Sequence, residues 1–390
     1  MSQSKRHVPT DDELRPPVYE EGSNVGPNIS QALELEDLDR DLYRSRQGSL
    51  WLPANARGVF GGQVIGQALT AANRTVRDNV RVHSLHSYFL LSGDVTVPIY
   101  YFVTRLRDGG SYVTRLVEAK QKGRCIFTMT VSYQVPEPYR PRFAIALPRS
   151  AGSSDKVEQP MSLSTLKASE EVSLPSRFSR ERAEGNIVEG LPSYEDAPLN
   201  EERYLRLLEE MKDHLPEGIK TRLKTWIKDR QDSAIEIRDA LPNMYDENGL
   251  PMPGYEQAFW MRTRLPVQGG EDAQKAALAY ASDLQFLGTV TKALGNSRRI
   301  KMMATLDHSI WFYEPFDFHE PMLFFMQAQA ASNGRGLVFG RFYKRDGTLV
   351  AVLSQEGLVR GKNEGEPARA SSSSKGKDEG DSSSSSKAKL

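Results

Sequence analysis

Gly58, Gly61, Gly62 and Gly66 crowd into the run GVFGGQVIGQAL at residues 58–69. Glycines at this density can let backbone N–H groups cradle a phosphate, or let a helix press close to a neighbour. A Walker-type loop requires G-x-x-x-x-G-K-[ST], and no Lys follows here. A dinucleotide fingerprint requires G-x-G-x-x-G after a strand, and that spacing is absent. Gly62 and Gly66 are four residues apart, so a helix would carry both on one face. Without β-carbons that face can approach a sheet or a ligand. The Gly61-Gly62 start also leaves the first helical N–H groups unobstructed, where they could meet a developing negative charge. Packing and donation both stay open at this level.

Asp307-His308-Ser309 spells the residue types of a nucleophilic triad. Neighbours on a strand point to opposite faces, however, and no G-x-S-x-G elbow exists. The six histidines show no H-x-x-x-H spacing, and there is no CxxC, so no metal and no cofactor are implied. Cys125, the single cysteine, lies in the apolar run CIFTMTV and reads as a small buried hydrophobe. One cysteine excludes an internal disulfide framework and suits a reducing compartment.

Lys plus Arg equals Asp plus Glu at 51 each, so no general field draws nucleic acid or an anionic membrane. An anionic ligand must be held by a local patch. No run of eighteen apolar residues is present, so no membrane span is expected, and the N-terminus lacks the apolar core of a secretory signal. The 390 residues allow two domains of ordinary size. Residues 1–28 read as a loose polar tail and 29–136 as an ordered β-rich unit. Residues 137–231 begin with clustered Pro, Ser and Glu, then turn amphipathic and helical around Pro216, as a linker or insertion would. Order returns over 232–361, and 362–390 is a serine-rich tail.

The two ordered segments resemble each other. His86-Ser87 falls on His308-Ser309 when the chain is slid by 222 residues. PIYYFV (98–103) falls on PMLFFM (321–326), KGRCIFTMT (122–130) on DGTLVAVLS (346–354), and the segment from Gly61 on that from Asp283. Ordered self-similarity means one structural unit used twice. On that alignment His86 and His308 are equivalent, which favours structural roles for both. Each unit holds a helix apolar nearly all round, QVIGQALTAANRTV (63–76) and AALAYASDLQFLGTVTKAL (276–294), followed by strands joined through short turns. A buried helix wrapped by antiparallel sheet is the hotdog arrangement. The expected fold is α+β: a double hotdog with its two sheets joined side by side.

GVFGGQVIGQAL, VHSLHSYFL, YASDLQFL, ATLDHSIWFY and LSQEGLVR together resemble the acyl-CoA thioesterase II family, found in bacteria and in peroxisomes. The resemblance covers 29–136 and 232–361. It implies a double hotdog that hydrolyses fatty acyl-CoA to fatty acid and CoA. It also implies a catalytic trio, carried here by Asp283, Thr305 and Gln355. Asp283, in a mostly apolar helix, would accept a proton, while Thr305 and Gln355 hold the attacking water. The trio has no strong nucleophile, so direct attack by water is expected. The sequence repeat sets Gly61, His83 and Val131 opposite the trio, and Gly61, Gly62 and His83 become candidates for shaping the site or holding the oxyanion. Arg115 and Arg335 are candidates for the CoA phosphates, and Arg298-Arg299 with Lys301 form a basic cluster.

The terminal Ala388-Lys389-Leu390 resembles a Ser-Lys-Leu peroxisomal address, which implies the peroxisomal matrix and an import receptor as partner. A homo-oligomer is compatible with these features. Two other readings stay open: an enoyl-CoA hydratase on the same fold, and a non-catalytic acyl-CoA binder.

Overall fold

β-branched and aromatic residues dominate the extended runs, and side chains there alternate between a buried and an exposed face. The computed structural model describes residues 7–10, 12–14, 27–54, 56–137, 143–145, 191–210, 214–241, 253–295 and 300–361. A one-turn helix α1 (Ile29–Ala32) opens the first half. Strands β1 (Leu35–Asp39) and β2 (Leu42–Ser45), helix α2 (Gly61–Asn73), and strands β3 (Arg81–Phe89), β4 (Tyr100–Asp108), β5 (Tyr112–Gln121) and β6 (Arg124–Gln134) follow. The second half begins with helices α3 (Asn200–Glu210) and α4 (Glu217–Gln231), the latter starting after Pro216. Then come β7 (Ile235–Asp239), β8 (Glu256–Thr263), α5 (Glu271–Ser282), α6 (Gly288–Ala293), β9 (Ile300–Phe312), β10 (Met322–Ser332), β11 (Arg335–Lys344) and β12 (Leu349–Gly361).

All twelve strands form one antiparallel sheet in the order β1-β2-β4-β5-β6-β3-β9-β12-β11-β10-β8-β7. The second six strands retrace the first six in reverse, and β3 pairs with β9 at the centre. The sheet wraps α2 and α5, and the core lies between. This is the double hotdog that the sequence led us to expect.

The β-bulges fix how the halves correspond. His83 is skipped between Val82 and Ser84, as Leu306 is between Thr305 and Asp307. Leu106 is skipped in β4 and Gln329 in β10, and Ile126 in β6 and Val350 in β12. The pairing of β4 with β10 and β6 with β12 expected from the repeat holds. The central strands, however, sit one residue away from the sequence alignment. His86 corresponds to Ser309, its direct cross-strand neighbour 223 residues on, and His308 corresponds to Leu85. A shift of one residue reverses the face of every side chain, which a match of residue letters cannot register.

The second expected helix is also two. Asp283 caps α5, and Gln285 takes a left-handed φ of 67°, which ends the helix before α6 begins. Gly61 and Asp283 are therefore contacts across an antiparallel helix pair, not equivalents. The glycine face of α2 packs on α5: a β-carbon on Gly62 would lie 2.2 Å from the Tyr280 carbonyl oxygen, and one on Gly66 3.1 Å from that of Ala276. Outside the sheet, Leu191, Tyr194 and Ala197 cover Trp260, Leu323 and Phe325 in a second cluster. Cys125 is only half-buried. Among the described residues, no helix is long and apolar enough to cross a membrane. The C-terminal tail 362–390, including Ala388, Lys389 and Leu390, and Arg298-Arg299 lie outside the described residues, whereas the N-terminal stretch read as a loose tail is anchored at Leu14, which is buried and whose carbonyl accepts from Gln231 Nε2 on α4.

Candidate active site

Because α2 and α5 run antiparallel, the N-terminus of one meets the C-terminus of the other. Asp283, at the end of α5, accepts the Gly62 N–H at Oδ2, 2.9 Å away. The positive end of the α2 dipole favours a carboxylate there. Gly61 is excluded from having a side chain, since a β-carbon would lie 2.7 Å from the same oxygen.

The sheet supplies the other two groups. Gln355 on β12 donates from Nε2 to Asp283 Oδ1 at 3.0 Å and to Thr305 Oγ1 at 2.6 Å. Thr305 Oγ1 stands 3.4 Å from Asp283 Oδ1. Gln355 lies opposite His308, and Gly357 lies opposite Thr305. In a regular strand, residues three apart would face opposite ways. The bulge at Leu306 turns Thr305 to the face that carries His308. The sequence-predicted trio therefore converges from one helix end and two strands.

Burial pushes the Asp283 carboxyl up to about 6, while Gln355, the Gly62 N–H and Thr305 pull against it. A carboxylate raised this far remains ionised at neutral pH and is a better proton acceptor than a solvated Asp. A cleft of about 300 Å³ opens over Asp283 and Thr305, with Phe286, Leu287 and Met303 in its apolar walls. Its lining suits a ligand with a polar reacting group and an apolar arm.

Two other candidates, His83 and Arg115, fall elsewhere, and a third, Gly62, is already engaged. His83 bonds Ser132 Oγ through Nε2 at 2.8 Å and lies edge-on to Tyr112. Ser84 faces Trp311 and Tyr88 faces Asp307, so His83 sits at the end of the β3–β9 seam remote from Thr305. Its counterpart is Leu306, not Thr305. Arg115 is 1% exposed, and its guanidinium is engaged by Thr75, Arg107, Thr114 and Asp108. Those contacts use all five N–H groups and leave none for a phosphate. Gly62 gives its N–H to Asp283 and is not available to an oxyanion. Arg335, by contrast, is half exposed, with Nε on Glu356, and opposes Leu358 on β12, three residues from Gln355.

Asp307, His308 and Ser309 have separate partners: Glu356 N–H, Ser282 Oγ and His86 Nδ1. They form no triad. Sequence reasoning missed Ser282, Gln285, Phe286 and Leu287 as surroundings of the site, because the helix break that gathers them was read as continuous helix. The non-Gly left-handed residue follows Asp283 by two positions, with no sequence signal of its own.

Two family models match the chain, described as the acyl-CoA thioesterase N-terminal domain over residues 49–134 and the acyl-CoA thioesterase C-terminal domain over 209–359. A mouse protein named acyl-coenzyme A thioesterase 8 is 33% identical over 335 residues, covering 86% of this chain and 89% of its own. A Saccharomyces cerevisiae protein named peroxisomal acyl-coenzyme A thioester hydrolase 1 is 35% identical over 111 residues, 28% of this chain and 31% of its own. Among solved structures, an acyl-CoA thioesterase II from Mycobacterium marinum superposes with a TM-score of 0.57 at 29% identity, covering 86% of this chain and 98% of that one.

Proposed function

The chain belongs to the acyl-CoA thioesterase II family, whose members hydrolyse acyl-CoA, and on that premise we propose that it cleaves fatty acyl-CoA by direct attack of water activated at Asp283. The single observation behind this reading is the three-way contact of Asp283, Thr305 and Gln355, of which Asp283 and Thr305 line the cleft and Gln355 lies buried behind them. Water held at Thr305 Oγ1 beside Asp283, two groups that Gln355 Nε2 orients, gives a proton to Asp283 as its oxygen bonds to the carbonyl carbon. The C–S bond then breaks, and the proton returns to the leaving sulfur of CoA. Hydrolysis needs no cofactor on this reading. Among the described residues no acceptor takes the Gly61 N–H, so this group is our candidate donor to the oxyanion. Arg335 is our remaining candidate for the CoA phosphates.

The acid side of the pH profile tests the base. A carboxyl pushed up to about 6 is protonated and idle below that pH. In a thiol-release assay kcat/KM should fall about tenfold per pH unit below about 6. A flat profile from pH 5 to 7, or a limb near 4, would remove Asp283 from the role.

We divide the chain into hotdog units at 29–136 and 232–361 with an insertion at 137–231, and we place the enzyme in the peroxisomal matrix. Supporting that location are the terminal Ala388-Lys389-Leu390 and the name of the yeast relative. Removing Leu390 should abolish capture by the import receptor and leave the protein in the cytosol. Import unchanged by the deletion refutes the address. A homo-oligomer would be read by light scattering.

A further inference from the structure

Two buried polar atoms at the site have no hydrogen-bond partner: Gln355 Oε1 and His308 Nδ1. An unpartnered buried acceptor or donor carries its full desolvation penalty, so each is anomalous alone. They are not separate accidents. Gln355 and His308 are directly opposed in the β12–β9 register, on the same face, and both are fully buried. Both Nε2 hydrogens of Gln355 are engaged by Asp283 and Thr305, so Oε1 must find a donor on its other side.

The two halves sharpen the point. Where the second half carries Thr305, His308 and Gln355, the first carries Val82, Leu85 and Val131, all buried. The histidine thus accompanies the trio, in a place where an aliphatic side chain satisfies the fold.

We propose that His308 is a positioning residue whose Nδ1–H donates to Gln355 Oε1, locking the amide with its N–H groups toward Asp283 and Thr305. On the far side of the ring Nε2 lies 2.9 Å from Ser282 Oγ, on the residue before Asp283, and in this relay the single Ser282 proton turns to Nε2 rather than to the Ala279 carbonyl 2.8 Å away. The opposite tautomer would set the Nδ1 lone pair against the Oε1 lone pair in a dry interior. A flipped amide would turn Oε1 onto the Asp283 carboxylate. Burial holds the imidazole neutral, pushed down to about 3 while the Gln355 side chain pulls the other way, so one ring nitrogen carries a proton and the other accepts.

The inference rests on the role proposed for Gln355, and its test separates the two. His308→Leu copies the residue of the first half and should fold. We expect kcat to fall about 10–100-fold with little change in KM, because the water site is misoriented rather than lost. The acid limb of kcat/KM should also move upward, as Asp283 loses a firmly held donor. His308→Asn, which can place an amide N–H near Nδ1, should recover much of kcat. Full activity with an unmoved limb in His308→Leu overturns the proposal. Selective nitrogen-15 labelling of histidine in the wild type gives a reading that does not depend on the variant folding. A neutral ring protonated on Nδ1 supports the relay, and one protonated on Nε2 overturns it. If Nδ1 carries the proton while Gln355→Leu keeps full activity, the hydrogen bond stands and the catalytic reading of Gln355 is what fails.

Discussion

Asp283→Asn should lower kcat by about 10²–10⁴-fold while acyl-CoA still binds. The amide keeps the size of the carboxyl, and with its oxygen on the Gly62 N–H its NH2 can donate to Thr305 Oγ1, although it then meets the Gln355 Nε2–H. It cannot take a proton from water. Thiol release at saturating substrate reads the loss, and isothermal titration with a non-hydrolysable thioether analogue reads the binding. A variant keeping a tenth or more of wild-type kcat would end the general-base mechanism.

The same substitution has a second, opposite signature. Folding raises the Asp283 carboxyl from 3.8 to about 6 through burial. A group raised on folding contributes stability that is complete below its unfolded value and is lost as pH climbs through its folded value. A tenfold change in proton affinity between the unfolded and folded chains corresponds to about 1.4 kcal/mol. Between pH 4 and pH 7 the Asn variant should therefore gain about 2–3 kcal/mol on the wild type in urea unfolding. Parallel stability curves for the two proteins would mean that the carboxyl is not desolvated in solution.

Gln355→Leu is expected to cost about 10²–10³-fold in kcat, the loss seen when one preorganised donor is removed from a reaction centre. Here the lost group serves two partners, Asp283 Oδ1 at 3.0 Å and Thr305 Oγ1 at 2.6 Å. Leucine should fit, since the first half holds Val131 in the corresponding strand position, buried without difficulty. The carboxylate that loses a donor binds its proton more tightly, so the acid limb must move above about 6. The two readouts constrain each other. A drop in kcat with an unmoved limb would place Gln355 on the water alone, and an unchanged kcat would remove it from the mechanism.

How much of this was legible beforehand differs by level. The apolar circumference of α2 and the repeated β-rich runs told of a helix within a sheet, twice over, because burial pattern is local information. Pro216 announced the break between α3 and α4, since proline cannot continue a helix from within. The types of Asp283, Thr305 and Gln355 were readable through motif resemblance.

Distance was not readable. Arg115 has the charge a phosphate needs, but folding surrounds it with Thr75, Arg107, Thr114 and Asp108. His83 has the chemistry of a site residue but is carried to the remote end of the β3–β9 seam. Glycines 61 and 62 looked like donors to a ligand. Gly62 gives its N–H to Asp283 and packs against the Tyr280 carbonyl, which leaves Gly61, close to Asp283 and Phe89, as the candidate.

The amino-acid order by itself determined most of the elements and the duplication, which follow from periodicity along the chain, while the residue types able to carry out hydrolysis came from the resemblance of its motifs to a known family. Only the tertiary structure decided the face and register. The bulge at Leu306 turns Thr305 to the side of His308, and the antiparallel helix pair brings Gly62 to Asp283. A single skipped residue in a strand reverses its faces, and its effect appears only where another strand is paired against it.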